Sequence, residues 1–247
     1  MNNEIKKYKK LVWGKNRHIP LNYCFRAPDN IDESKKYPLI LFLHGAGGRG
    51  SNNSEQLNDA GSIDAFRNQS IFSYHRTYLI APQVPNNKKW VDIDWHSLEH
   101  KMPSITKTME LTLELLDYVL RDKNNKIDTT RVYVLGISMG GYGVWDIVQR
   151  RPHMFAAAVP ICGGGDVSLC HLISHLPIWA WHGDSDDVIN VARSRYMFDE
   201  LKKEGSDLIY SEIKDRGHDV WIDVWNSKEL WKWLFSKKLS NKINQNE

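Results

Sequence analysis

The stretch Val132-Tyr-Val-Leu-Gly136-Ile-Ser138-Met-Gly140-Gly141 runs apolar, β-branched residues into a glycine-flanked serine, then into a helical pattern carrying Val144, Trp145 and Val148. A G-x-S-x-G segment between a strand and a helix is a sharp elbow. The residue at its apex takes strained backbone angles, and glycines two positions to either side let strand and helix approach without Cβ clashes. Ser138 is therefore expected to stand clear of a sheet. The Met139 N–H falls at the helix N-terminus, where unpaired donors and the dipole favour a developing negative charge. A serine hydroxyl alone is a weak nucleophile, so the reading requires a histidine and a carboxylate farther along the chain.

Outward from the elbow, short apolar runs alternate with longer amphipathic stretches, the pattern of strands buried on both faces with helices between them. Strands are expected at Leu21 to Arg26, Leu39 to Leu43, Tyr78 to Pro82, Val132 to Gly136, Ala157 to Ile161, Ile178 to Trp181 and Leu208 to Lys214, the first as an antiparallel edge. The fold class is α/β with a mostly parallel central sheet. Ile105, Met109, Leu113, Leu116 and Leu120 recur at helical spacing on one stripe, with Ser104 after Pro103 as the expected N-cap. Further helices are expected after Met139, from Val191 to Lys203 and from Val220 to Phe235. No linker or internal repeat divides the 247 residues, so they read as a single domain with a solvated tail after about residue 236.

Both missing partners lie beyond later strands. Pro177-Ile-Trp-Ala-Trp-His182-Gly-Asp184-Ser-Asp186-Asp187-Val188 places three carboxylates just past a buried strand, at the edge where open α/β sheets bind ligands. Asp166, after Gly163-Gly164-Gly165, is a further candidate acid. Asp215-Arg-Gly217-His218-Asp219-Val-Trp221 supplies a histidine in the loop before the final helix, and His218 is the preferred base. Trp221, three residues later, and Gln83, at the end of its strand, are candidates to face a substrate. Trp90, Trp95 and Trp181 also fall near that sheet edge.

The chain resembles the α/β-hydrolase-fold serine esterases, particularly the bacterial group of predicted peptidases and carbohydrate esterases related to feruloyl and acetylxylan esterases. The residues carrying the resemblance are His44-Gly45-Ala46-Gly47-Gly48, Ala81-Pro82-Gln83, Gly136 to Gly143, Val159 to Gly164, His182 to Val188 and Gly217-His218-Asp219. It implies the α/β-hydrolase fold with helices on both faces, Ser138 as nucleophile, His218 as base and Asp186 as acid, since the family places the acid four residues after the His-Gly histidine. Asp187 and then Asp184 are the rivals. It also implies that the backbone N–H of Ala46 joins that of Met139 in holding the oxyanion. The implied activity is hydrolysis of acetyl, feruloyl or small aryl esters through an acyl-enzyme, without cofactor. A peptidase using the same groups is the alternative, and a catalytically silent binding protein would normally lack one of them.

Composition narrows the classes. Apolar residues at 41% and charged residues at 26% are those of a compact protein and exclude wholesale disorder. The net charge of +3 is spread along the chain, with no basic stripe for nucleic acid. No run reaches the roughly 18 apolar residues of a membrane span, and the start, Met1-Asn-Asn-Glu-Ile-Lys-Lys, has no signal-peptide core. The expectation is a cytoplasmic protein, or a secreted or periplasmic one if a leader has been removed, with a small or carbohydrate ester as partner. Cys24, Cys162 and Cys170 are an odd number without a CxxC pair and read as buried thiols. His96-Ser-Leu-Glu99-His100 fits a zinc-peptidase pattern, but Pro103 follows too closely for the continuous helix that pattern needs, and Cys170-His171 with His175 reads as a surface helix, so no metal site is expected.

Overall fold

The computed structural model describes residues 6–16 and 18–239. Eight strands, β1 (Lys9–Trp13), β2 (Leu21–Arg26), β3 (Tyr37–Leu43), β4 (Tyr78–Pro82), β5 (Ile127–Ile137), β6 (Ala157–Ile161), β7 (Trp179–Gly183) and β8 (Ile209–Ile213), form one sheet in the order β1-β2-β4-β3-β5-β6-β7-β8. β1 and β2 run antiparallel, as do β2 and β4, and every later pairing is parallel. The helices are α1 (Glu55–Asn58), α2 (Ser62–Asn68), α3 (Lys107–Arg121), α4 (Met139–Arg150), α5 (Ala192–Lys203), α6 (Trp221–Asn226) and α7 (Lys228–Ser236).

The twofold alternation of a strand divides the core into two layers. Leu39, Leu41 and Leu43 of β3 and Val132 and Val134 of β5 face one layer, closed by α3, α4 and α5. Ile40 and Phe42 of β3 and Tyr133, Leu135 and Ile137 of β5 face the other, closed by α1, α2, α6 and α7. Because both faces are covered, the central strands are continuously apolar. This is the α/β-hydrolase architecture. Among the described residues no helix is long and apolar enough to cross a membrane. Cys24, Cys162 and Cys170 are free and buried.

Several elements differ from the sequence reading. β2 is antiparallel but not the edge, because β1, with four of its five residues exposed, pairs outside it. The cap of α3 is Thr106, whose side chain accepts from the Met109 amide, and not Ser104. The expected final helix is two: Ser227 interrupts it and caps α7 by accepting from Leu230 N. The expected solvated tail stays docked at first, since Leu239 N donates to Thr130 O at 2.8 Å and Tyr133 Oη to Lys237 O at 2.8 Å. Residues 240–247 lie outside the described residues.

Candidate active site

β5 ends at Ile137 and α4 begins at Met139, leaving Ser138 as the single residue that turns the chain. Its φ of 53° and ψ of −116° lie in a region costing about 1–3 kcal/mol, so the surroundings must hold it there. They do so through the backbone: Ser138 N donates to Ile161 O at 2.8 Å, and Tyr142 N donates to Ser138 O at 3.2 Å. A Cβ on Gly136 would stand 2.4 Å from Gly140 O, and one on Gly140 only 1.9 Å from Leu43 O. The glycines are where two backbones touch.

His218 and Asp186 come to this elbow from loops after β8 and β7. Ser138 Oγ donates to His218 Nε2 at 2.8 Å, and His218 Nδ1 donates to Asp186 Oδ2 at 2.7 Å. The His218 side chain keeps 17% of its exposure, whereas that of Asp186 has none. Asp186 Oδ1 accepts from the amides of Val188 at 2.9 Å and Ile189 at 2.8 Å. Burial alone would raise this carboxyl, but hydrogen bonds from His182, His218 and the Ile189 amide outweigh it and hold the group well below the usual carboxylate range. It is ionised throughout the neutral range, which fixes the His218 proton on Nδ1 and leaves Nε2 free to accept. A proton can thus pass from Ser138 to His218 with every ring nitrogen retaining a partner.

Of the rival acids, Asp187 is exposed and Asp184 meets Ser185 Oγ. Asp166 caps the turn Val167–Leu172 and also accepts from Met102 N at 2.8 Å. None of these three bonds His218. Ala46 opens the one-turn helix Ala46–Gly48 after β3, and Met139 opens α4, positions whose N–H groups find no partner within their own helix. Trp221 lies edge-on to His218, with ring centroids 5.4 Å apart and planes at 85°.

Gln83, a candidate to face a substrate, is instead buried. It is 1% exposed, accepts from Asn53 N at 2.7 Å, and donates to Gly48 O at 3.2 Å and Asn52 Oδ1 at 3.1 Å, so its polar atoms anchor the loop after Gly48. Trp90 and Trp181 are likewise buried. His96 to His100 form no helix.

Two residues that shape the site gave little sign in the sequence. His182 also reaches Asp186: its Nε2 lies 3.2 Å from Asp186 Oδ2 and 2.9 Å from Ile189 O, and its Nδ1 lies 2.7 Å from Ser194 Oγ. The fixed spacing of His182 and Asp186 was the available signal. Asp59 sits under the glycine loop, where a Cβ on Gly45 or Gly47 would fall 2.9 or 2.7 Å from its oxygens. Burial pushes its carboxyl up, while the Gly45 and Gly48 amides pull it back.

Cys162, His182 and Asp186 bring potential ligand atoms within 4.8 Å of one another. As a metal set they fit poorly. Burial and then the Asp186 charge push the Cys162 thiol well up, which keeps it protonated, and the nitrogens and oxygens of the other two are engaged by Ser194, Ile189, Val188 and His218.

A solved thermostable esterase superimposes on 95% of the chain with a TM-score of 0.86 at 30% identity, the match covering 64% of that protein. A ferulic acid esterase shares the fold, at 18% identity and a TM-score of 0.63 over 93% of this chain and 94% of that one. An uncharacterized secreted protein of Arthroderma benhamiae is 25% identical over 76% of the chain, and a bifunctional acetylxylan esterase/xylanase of Neocallimastix patriciarum is 32% identical over 34% of it. The matches span only 22% and 12% of those two longer proteins. The model of the phospholipase/carboxylesterase family matches residues 30–227. That range takes in the elbow, the Asp186 loop and the His218 loop together, and the chain belongs to this family of α/β-hydrolase enzymes.

Proposed function

We propose that the protein hydrolyses carboxylic esters through Ser138, His218 and Asp186, and that its substrates are acetyl or feruloyl esters of carbohydrates or small aryl esters. The observation that carries the reading is the continuous hydrogen-bond chain from Ser138 Oγ through His218 to the buried, ionised Asp186, mounted on a positive-φ elbow. His218 Nε2 takes the Ser138 proton as Oγ bonds the ester carbonyl carbon, and the Met139 and Ala46 amides receive the charge on the carbonyl oxygen. Collapse of this intermediate breaks the bond to the alcohol, which leaves with the proton from His218. Water, deprotonated in turn by His218, then displaces Ser138 and releases the acid. The similarity to the bifunctional acetylxylan esterase/xylanase of Neocallimastix patriciarum supports the acyl-sugar class.

The test is hydrolysis of p-nitrophenyl acetate by wild type and Ser138→Ala, followed by acetylated xylan, feruloylated sugars and short peptides. Loss of the nucleophile is expected to cost about 10⁶-fold in kcat, the scale seen when a serine protease loses its serine. Equal rates would remove Ser138 from the mechanism, and turnover confined to peptides would overturn the ester assignment.

A further inference from the structure

A buried guanidinium is costly unless a counter-charge or a full set of acceptors surrounds it. Arg193, in the first turn of α5, is 2% exposed. Its Nε donates to Tyr142 Oη at 3.1 Å and its Cζ stands 4.9 Å from the centre of that ring. Nη2 is buried without a partner, and among the described residues no carboxylate forms an ion pair with Arg193. The Tyr142 hydroxyl is used up, donating to Trp95 O at 3.3 Å.

Arg193 is one of several such groups. The Nε1 of Trp95, the Nδ1 of His100 and the Nε of Arg49 are all buried atoms without partners. The Arg49 guanidinium lies 5.3 Å from the Trp95 ring centre, and the His100 ring 6.2 Å from that of Tyr142. Nearby acids are spent elsewhere: Asp166 accepts from Met102 N, Ser168 and Lys101, and Asp94 from His96 N and Ser97. The cluster therefore offers donors and positive charge with no acidic side chain to receive them.

Its position ties it to the site. Tyr142 is one helical turn beyond Ser138 and bonds its carbonyl, Arg49 directly follows the Ala46–Gly48 turn, and Arg193 precedes the Ser194 that meets His182. Arg49, Trp95 and His100 are half-buried, whereas Arg193 is enclosed. Resting on the esterase reading above, we infer that the substrate carries a carboxylate, in its acyl or its alcohol half, that binds between Arg193 and Arg49, as a uronate or the half-ester of a dicarboxylic acid would. Such a group would supply the acceptors this cluster lacks, and hydrogen bonds between charged groups away from water are the strong ones.

The experiment compares esters differing only in methylation of the carboxylate: 4-nitrophenyl hydrogen succinate against its methyl ester, and 4-acetoxybenzoate against methyl 4-acetoxybenzoate, each rate corrected for the ester's hydrolysis in dilute hydroxide. Wild type is expected to favour the free acid in kcat/KM by about 10- to 100-fold in one pair, and which pair responds locates the carboxylate in the acyl or the alcohol half. Arg193→Met, which keeps the volume, and Arg49→Gln should each erase most of that ratio. Should Arg193→Met fail to fold, the wild-type ratio and Arg49→Gln decide. Ratios near one in both pairs, with neutral esters turned over, overturn the carboxylate inference alone, whereas inactivity toward all four esters sinks the esterase reading with it.

Discussion

Asp186 is held by the donors around it, and one of them is a second histidine. Val188 N and Ile189 N occupy Oδ1, while His218 Nδ1 at 2.7 Å and His182 Nε2 at 3.2 Å share Oδ2. Since His182 Nε2 faces only oxygens with lone pairs, it carries the proton and donates. His182 is thus a positioning residue: it sets where the carboxylate points and helps keep it ionised against its own burial. His182→Phe should lower kcat about 10- to 100-fold with KM little changed, and His182→Gln, which can restore an N–H donor, should recover a large part of the loss. A purely structural role would instead lower the melting temperature and the active fraction in both variants, leaving kcat per folded molecule intact, so active-site titration beside steady-state kinetics decides. At this scale the sequence was legible where chemistry leaves a pattern: Ser138, His218 and Asp186 stand out by their glycine neighbours and their places after strands. The burial of Gln83 is not legible, because a polar residue at a strand end looks the same whether it meets a ligand or its own loop. Arg193 gave no sign at all, since nothing local shows that a charged residue in an amphipathic helix will be enclosed.

The elbow works because β5, α4 and the end of β3 meet backbone to backbone. A Cβ on Gly140 would fall 1.9 Å from Leu43 O, 2.5 Å from Leu43 C and 2.8 Å from His44 O, all main-chain atoms that cannot turn aside. On Gly143, one turn along the same helix, the nearest atoms are side-chain carbons of Leu43 and Trp90 at 3.0 Å, which can shift. Gly140→Ala should therefore cost about 3–5 kcal/mol, a fall in Tm of roughly 6–20 °C, and Gly143→Ala about 1–3 kcal/mol. Differential scanning calorimetry of the two variants checks this, and equal melting temperatures would show that the elbow relaxes freely. The long central elements were readable because burial on both faces makes their apolar runs continuous. β1 was not, because Lys9, Lys10, Leu11 and Val12 are exposed and the strand exists only by pairing with β2. α1 and α2 are too short to show a helical period, and they persist because Leu57, Ile63 and Phe66 are buried against the sheet.

Across the whole molecule, stability should depend on pH through a histidine that performs no chemistry. His44 joins the end of β3 to the segment after β4: its Nε2 accepts from Val84 N at 3.0 Å, its Nδ1 meets Gly45 O at 2.6 Å, and its carbonyl accepts from Trp90 Nε1 at 2.9 Å. Protonating Nε2 would remove the acceptor facing Val84 and place a charge in the core, and burial accordingly lowers its pKa to about 4. The unfolded chain, with an ordinary value of about 6.5, takes up this proton first as pH falls. Stability from His44 is therefore complete above pH 6.5, declines as pH drops toward 4, and levels off below, a total on the order of 3 kcal/mol against a typical global stability of about 5–15 kcal/mol. His100, also lowered to about 4 by burial and by Arg193, acts in the same direction, whereas Asp59 and Asp146, pushed up by burial, act in the opposite one. The difference between wild type and His44→Gln isolates the one residue, since Gln offers an acceptor to Val84 N without titrating. Unfolding free energies from urea titrations between pH 6.5 and 4.5 should fall for wild type by about 1.4 kcal/mol more per pH unit than for His44→Gln, and parallel curves would show that His44 is protonated as readily in the folded chain as in the unfolded one.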